Sequence, residues 1–251
     1  MARAKTPSST GSSRRSSTAA AGGPASRHGR MGSQHTAVDF ADDAGTAELS
    51  DMESAQPFMT RQKPFAWLLL GTGIVSWLSS GILVLDRLEL YKNPNAVTNC
   101  DINAVVSCGS VMKTHQAEIF GFSNPLIGLF AFAVVITTGM AMLSGARLGR
   151  WYWIGLQTGV TLGMAMICWL WFQAVYVISI LCPYCMVVWA MMIMLFIWTT
   201  VRNLVHGVLP APAGVTRFLS EWAWILAALL ALGVIASIFF RFINLFVPGV
   251  G

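Results

Sequence analysis

The chain has 251 residues, of which 55% are hydrophobic and 11% charged, and its formal net charge is +5. A soluble globular domain carries about 25% charged residues, so this composition excludes an ordinary soluble protein and indicates a membrane protein. The basic residues do not form a stripe with aromatic side chains, so a nucleic-acid partner is not expected. They flank apolar segments instead, which is typical of membrane topology.

Residues 1–62 are rich in Ser, Ala, Gly and Thr. Such a segment cannot bury enough apolar surface to offset the entropy of ordering it, which predicts a disordered tail. It has no early apolar core, so we expect no cleavable signal peptide, and the first apolar helix would act as a signal anchor. Arg61 and Lys63 precede that helix, which predicts a cytoplasmic tail.

Five apolar segments predict an all-α polytopic membrane protein, because about 20 apolar residues cross a bilayer as a helix. The first four lie within residues 63–205, and a cytoplasmic linker with a fifth transmembrane helix would occupy 206–251. An outer loop, 86–124, separates the first two spans, and a short helix on the membrane surface is expected within it, at 111–120. The predicted spans are 65–85, 125–143, 151–178, 183–201 and 222–240.

This topology brings two cysteine pairs to the non-cytoplasmic side, where disulfides persist. Cys100 and Cys108 lie in the outer loop, and Cys182 and Cys185 form Cys-Pro-Tyr-Cys at the head of the fourth span. Pro183 suits the first helical position, so Cys182 is expected near the N-cap and Cys185 in the first turn. The helix dipole stabilises a thiolate there. Exchange between the two pairs predicts a two-stage electron relay.

A disulfide at the lipid boundary needs an electron acceptor that dissolves in lipid. A quinone fits, because it accepts two electrons and a dithiol releases two. The loop pair would take its electrons from a soluble dithiol protein. The remaining cysteine, Cys168, lies within an apolar span and is expected to be a buried small hydrophobe.

At these cysteines the sequence resembles the bacterial branch of the vitamin K epoxide reductase family. The resemblance covers about residues 63–205 and implies a four-helix bundle with a quinone site among its helices. Three stretches carry it: Cys-Asp at 100–101 followed by Ser-Cys at 107–108, Phe-Ser-Asn-Pro-Leu-Ile-Gly at 122–128, and Cys-Pro-Tyr-Cys at 182–185.

The resemblance implies a role for each of the four cysteines. Cys185 would meet the quinone, and Cys182 would receive electrons from Cys108. Cys100 would exchange with a thioredoxin-like, DsbA-type protein outside the cytoplasm. Some bacterial members carry a fused thioredoxin-like domain; because this chain ends at Gly251, the partner is expected to be a separate protein.

The resemblance also implies three residues of the quinone site. Asn124 matches a quinone-contacting Asn, and Thr114 occupies the place of a Ser or Thr that shapes the active site. Trp189 falls where vertebrate members have a quinone-contacting Tyr. Asn124 is also expected to cap the helix that begins at Pro125. The acceptor would be a menaquinone-like quinone, used by a multi-pass protein of the cell (plasma) membrane.

Other functions fit parts of the pattern. The cysteines could form structural disulfides in a non-catalytic membrane subunit. A zinc site is disfavoured and no metal is expected, because the spacing from Cys100 to Cys108 is too wide for a zinc knuckle. A thiol oxidase of the DsbB type has its Cys-x-x-Cys before its spaced pair, and here the order is reversed.

Overall fold

A computed structural model of the chain describes residues 57–243. Five long helices dominate it: α1 (Gln62–Lys92), α2 (Pro125–Leu143), α3 (Arg150–Phe172), α4 (Pro183–Val205) and α5 (Ala213–Arg241). Each is long and apolar enough to cross a membrane, and no strand occurs in residues 57–243. The predicted all-α polytopic fold is therefore confirmed. Residues 1–56 of the predicted disordered tail lie outside the described region.

Shorter helical segments complete the structure. The loop helix, Cys108–Met112, lies between α1 and α2 and is followed by a 3-10 turn at His115–Glu118. The single surface helix predicted over 111–120 is therefore wrong in its limits. A π-helical turn, Gln173–Ile178, extends α3, and a 3-10 turn at Phe58–Thr60 precedes α1.

The helices pack in the order α2, α1, α4 and α3, and α5 lies against α4. Along their described lengths α2 and α3 contact each other little. Their main link is a hydrogen bond of 2.5 Å between the hydroxyl groups of Thr138 and Tyr152. The space between α2 and α3 consequently remains open as a cavity lined by four helices.

Glycine lets α1 and α2 approach closely. A Cβ atom on Gly139 would lie 2.9 Å from the Leu70 side chain and 3.0 Å from the backbone oxygen of Ala66. A Cβ atom on Gly73 would lie 2.9 Å from the Ile136 side chain. Small residues are typical of helix contacts in membranes, where close packing replaces the hydrophobic driving force.

The two ends of the bundle differ. At one end, short connections join α2 to α3 and α4 to α5. Polar contacts tie this end together: Gln62 Nε2 donates to the Met142 carbonyl at 3.0 Å, and the Arg150 guanidinium donates to the Val208 carbonyl at 3.1 Å. The opposite end carries the loop between α1 and α2 and the short connection before α4, and it contains both cysteine pairs.

Candidate active site

Four cysteines meet at the loop end of the bundle. Cys100 and Cys108 form a disulfide, with their Cα atoms 5.6 Å apart. The free thiol of Cys182 lies 3.3 Å from the Cys108 sulfur, and Cys185 lies in the first turn of α4. Thiol–disulfide exchange requires a thiolate to reach one sulfur of a disulfide. The geometry therefore permits exchange between Cys182 and Cys108.

Main-chain hydrogen bonds bring these cysteines together. The Leu181 N–H donates to the Val105 carbonyl at 2.7 Å, and the Ser107 N–H donates to the Leu181 carbonyl at 3.0 Å. Val106 and Leu181 thereby form an isolated parallel bridge. The bridge lies just before the loop helix and just before α4, so it holds the two helix N-termini, each with its cysteine, side by side.

Cys182 occupies the N-cap of α4 and Pro183 its first position, as predicted. The Cys182 sulfur accepts a hydrogen bond from the Cys185 backbone N–H, with a sulfur–nitrogen distance of 3.4 Å. A hydrogen bond from the Cys185 thiol lowers the pKa of Cys182, and the backbone N–H groups of Cys185 and Tyr184 add to this effect against the opposing effect of burial. The site thus favours the thiolate, which is the reactive form of cysteine.

Asp101 closes the turn that carries the loop disulfide. Its carboxylate accepts hydrogen bonds from Ser107 Oγ at 2.6 Å and from the N–H groups of Thr98 and Gly109 at 2.8 and 3.0 Å. Burial alone would raise its pKa, but these hydrogen bonds lower the pKa of Asp101 to about 2. A Cβ atom on Gly109 would lie 2.9 Å from the carboxylate, so this turn requires glycine.

A cavity of about 520 Å³ opens beside the membrane pair. Its walls come from α1, α2, α3 and α4 and are almost entirely apolar, and both Cys182 and Cys185 contribute to the lining. Asn124 and Trp189, two of the three residues expected near a quinone, also line it. Thr114 is not part of the lining; its hydroxyl donates to the Val111 carbonyl at 2.7 Å.

A comparison with protein-family models agrees with this site. Residues 67–200, more than half of the chain, match the vitamin K epoxide reductase family. The chain belongs to this family. A comparison with curated proteins found no match. The matched region contains all four clustered cysteines, and membership of the vitamin K epoxide reductase family makes the chain a membrane disulfide oxidoreductase.

In this vitamin K epoxide reductase family member, Asn124 does not cap α2 through its side chain, so that prediction is wrong. Its backbone angles are already helical (φ −54°, ψ −37°), whereas a capping residue is typically extended. Its Nδ2 donates to the Gln116 carbonyl at 2.8 Å, and its Oδ1 accepts from the Ile119 N–H at 3.4 Å. Asn124 therefore fastens the outer loop to α2 at the edge of the cavity.

Cys168 lies apart from the vitamin K epoxide reductase site. It was expected to be buried, but its side chain is exposed on α3. An outward position on a membrane helix faces lipid, which suits a weakly polar thiol as well as a protein core does. Within residues 57–243, no three His, Cys, Asp or Glu side chains come together as a metal site.

Three charged groups near the site of this family member were missed by the sequence analysis. One carboxylate oxygen of Asp86 is buried and has no hydrogen-bond partner among the described residues, and its charge opposes a thiolate at Cys182. Arg87 and Tyr91 donate to the Glu118 carboxylate and so join α1 to the outer loop. The i, i+4 spacing of Arg87 and Tyr91 could have indicated a shared partner, because it puts both side chains on one helix face.

Proposed function

We propose that this protein oxidises the dithiol of a thioredoxin-like, DsbA-type protein outside the cytoplasm and reduces a lipid quinone. It would thereby drive disulfide formation. One observation carries this proposal: the Cys182 sulfur lies 3.3 Å from the Cys108 sulfur, beside an apolar cavity that also contacts Cys185. One thiol can exchange with the loop pair while its neighbour faces a lipid-soluble acceptor.

The first step would bring electrons into the loop pair. A thiolate of the partner attacks Cys100, which forms a mixed disulfide and releases Cys108 as a thiolate. The second partner thiol then displaces Cys100 and leaves the partner oxidised. Val97 and Ile102 flank Cys100 and are 81% and 71% exposed. Their apolar surface supports docking of a soluble protein next to the sulfur that it attacks.

The second step would pass the electrons to the membrane pair. The Cys108 thiolate attacks Cys182 of a Cys182–Cys185 disulfide, and Cys185 leaves as a thiolate. Cys100 then attacks Cys108, which restores the loop disulfide and releases Cys182. The loop pair is now oxidised and the membrane pair reduced, which is the arrangement of bonded and free cysteines described above.

The third step would regenerate the Cys182–Cys185 disulfide. A bound menaquinone-like quinone supplies the acceptor for the two electrons and two protons that the dithiol releases. The apolar walls of the cavity support this role, because they exclude water and suit a lipid-soluble ring. Asn124 and Trp189 each carry N–H groups that would donate to the acceptor's oxygens, and Thr114 would shape the site through the outer loop.

The proposed location is the cell (plasma) membrane, with the N-terminus in the cytoplasm and both cysteine pairs outside. Arg147 and Arg150 support this orientation, because they lie at the end of the bundle opposite the outer loop and basic residues favour the cytoplasmic side.

Quinone reduction by the purified protein in detergent, with a reduced thioredoxin-like protein as donor, tests this proposal. Wild type and Cys168→Ala should turn over, and Cys185→Ala should not. Cys185→Ala should still exchange disulfides with the donor through its loop pair, whereas Cys100→Ala should block electron entry from the donor. Cys108→Ala should likewise stop turnover with this donor, because the loop then has no disulfide to accept electrons and no Cys108 thiolate to attack Cys182.

The opposite result would identify the cysteines as structural. Wild type would then be inert towards quinones, and its disulfides would resist mild reductant. Equal loss of quinone turnover and of loop exchange in Cys185→Ala would contradict the division of roles between the two pairs.

A further inference from the structure

The last helix, α5, lies outside the matched region 67–200, and the proposed function gives it no role. Two parts of its contact with the bundle matter for the cysteines. Along its middle, Ala223 and Ala227 are buried, and Trp224 packs against Trp198 of α4 with ring centroids 5.2 Å apart. These contacts attach α5 to α4 far along the bundle from the cysteines.

The second contact is at the other end of α5, beside the segment between α3 and α4. Phe242, the residue after α5, is only 8% exposed and forms one apolar cluster with Val175 and Leu181. Val105 of the outer loop and Ile238 of α5 pack against the same cluster. The end of α5 therefore shares one apolar cluster with both partners of the main-chain pairing that holds the outer loop to the start of α4.

A hydrogen bond adds to this contact. The Arg241 guanidinium donates to Ser179 Oγ at 3.2 Å. Ser179 has a φ of 56°, in the left-handed region that is unfavourable for a residue with a Cβ atom. The chain reverses direction at this residue, so a contact that holds Ser179 also sets the path of the two residues that lead to Cys182.

We infer that the α5 clasp, formed by Ile238, Arg241 and Phe242, positions Cys182 against Cys108. The clasp holds residues 179–181, and that segment in turn pairs with the outer loop. The inference rests on the proposed exchange between the two cysteines. The clasp residues touch no reacting atom, so they are positioning residues.

Exchange between sulfurs is sensitive to position. The two sulfurs are 3.3 Å apart, and both side chains are almost fully buried, with Cys108 0% and Cys182 2% exposed. The share of each disulfide at equilibrium depends on the effective concentration of each thiol at Cys108, and displacing a positioned thiol lowers that concentration. Loosening the clasp should therefore reduce exchange without changing the cysteines themselves.

In a Cys185→Ala background, the exchange between Cys182 and Cys108 can be measured as the ratio of free Cys100 to free Cys182. In it Cys182 attacks Cys108; the Cys108–Cys182 bond forms as the Cys100–Cys108 bond breaks, and Cys100 is released as a thiol. Acid quenching, alkylation and mass spectrometry then give the ratio of free Cys100 to free Cys182 at equilibrium. In this background, Phe242→Ala is expected to lower the ratio by about tenfold or more.

Phe240→Ala is the matched control, because Phe240 is the same residue type close by on α5 and is 70% exposed. It should leave the ratio unchanged. Phe242→Leu keeps an apolar side chain and should restore most of the ratio. The thermal unfolding temperature of each variant, measured in the same detergent, separates a positional effect from loss of the fold.

The Arg241–Ser179 bond provides an independent test. In the same background, Arg241→Gln and Ser179→Ala should each lower the ratio by a smaller factor, about two- to fivefold, because one exposed hydrogen bond contributes modestly. The double variant should be no worse than either single variant, since both remove the same interaction.

The outcomes separate the two ideas. If the Cys108–Cys182 bond does not form even with an intact clasp, the proposed relay fails and the clasp inference fails with it. If the bond forms and a folded Phe242→Ala variant gives an unchanged ratio, the clasp inference alone is overturned. If Phe242→Ala does not fold, Arg241→Gln and Ser179→Ala decide: an unchanged ratio in both would overturn the clasp inference.

Discussion

At the scale of single residues, the neighbours of Cys182 lower its pKa and so favour its thiolate form. Its sulfur accepts a hydrogen bond from the Cys185 backbone N–H at the start of α4, and hydrogen bonding lowers its pKa although the side chain is only 2% exposed. Burial by itself disfavours a thiolate, so the hydrogen bonds must outweigh it. Cys185 supplies the strongest of them, which makes Cys185 part of the activation of Cys182.

Cys185→Ala removes the hydrogen bond that lowers the pKa of Cys182 most, so that pKa should rise towards its ordinary value of 9.0. Less thiolate is then present at neutral pH, because ionisation begins at a higher pH. Cys185→Ser keeps a hydroxyl donor and should raise the pKa less. Ultraviolet thiolate absorbance, titrated with Cys100, Cys108 and Cys168 replaced by serine, measures the first ionisation.

The same pKa for this first ionisation in all three proteins would contradict the assignment. It would mean that the backbone N–H groups at the helix N-terminus, not the Cys185 thiol, set the acidity of Cys182.

The residue patterns located the four cysteines and placed the two pairs on one side, but only the family resemblance predicted exchange between Cys108 and Cys182. The two motifs predicted two cysteine pairs. The charge asymmetry and the order of the spans predicted that both pairs lie on the same side of the membrane. The meeting of Cys108 with Cys182 depends on the bridge between Val106 and Leu181, and an isolated bridge leaves no periodic pattern in the sequence. The prediction that Asn124 caps α2 was wrong for a related reason: the hydrogen-bond partners of its side chain lie in the outer loop and not at the helix terminus.

At the scale of elements, apolar length located every span but not every helix end. α1 continues to Lys92, although its apolar run ends near residue 85, and α5 begins at Ala213 and not at 222. Charged residues continue both helices into water, where pairs such as Arg217 with Glu221, 2.8 Å apart, support them. Helix hydrogen bonds form in water-exposed turns as well as in lipid. Hydropathy therefore predicts which part of a helix lies in the bilayer but not where the helix ends.

Gly139→Ala should destabilise the protein, because its Cβ atom would meet the Leu70 side chain at 2.9 Å and the Ala66 oxygen at 3.0 Å where α1 and α2 touch. Overpacking of this kind costs about 1–3 kcal/mol, which should lower the thermal unfolding temperature by several degrees. Gly233→Ala is the control, since nothing lies within 4 Å of a Cβ atom there. An equal unfolding temperature for the two variants would contradict close packing of α1 on α2.

At the scale of the whole molecule, the two ends of the bundle differ in the groups that they contain. The loop end contains the disulfide and the thiols of Cys182 and Cys185, and the opposite end is held by polar contacts such as that between Gln62 and the Met142 carbonyl. The odd number of spans would put the two ends of the described chain on opposite sides of a membrane.

Labelling of single cysteines in intact cells should reveal this asymmetry. In a background without the native cysteines, Asn103→Cys in the outer loop should react with a membrane-impermeant maleimide. Ala146→Cys, in the turn between α2 and α3, should react only after the membrane is permeabilised. Both positions are exposed, so access and not burial decides the result. Labelling of Ala146→Cys alone in intact cells would show the opposite orientation.

The pairing of Leu181 with Val105 and Ser107 uses only main-chain atoms. Side chains at these positions take no part in these particular hydrogen bonds, so truncating a side chain does not remove the bonds directly. Proline is the exception at positions 181 and 107, because it lacks the N–H that each position donates. A proline scan of this short stretch would therefore map the junction between loop and bundle more sharply than an alanine scan, which leaves every one of these bonds in place.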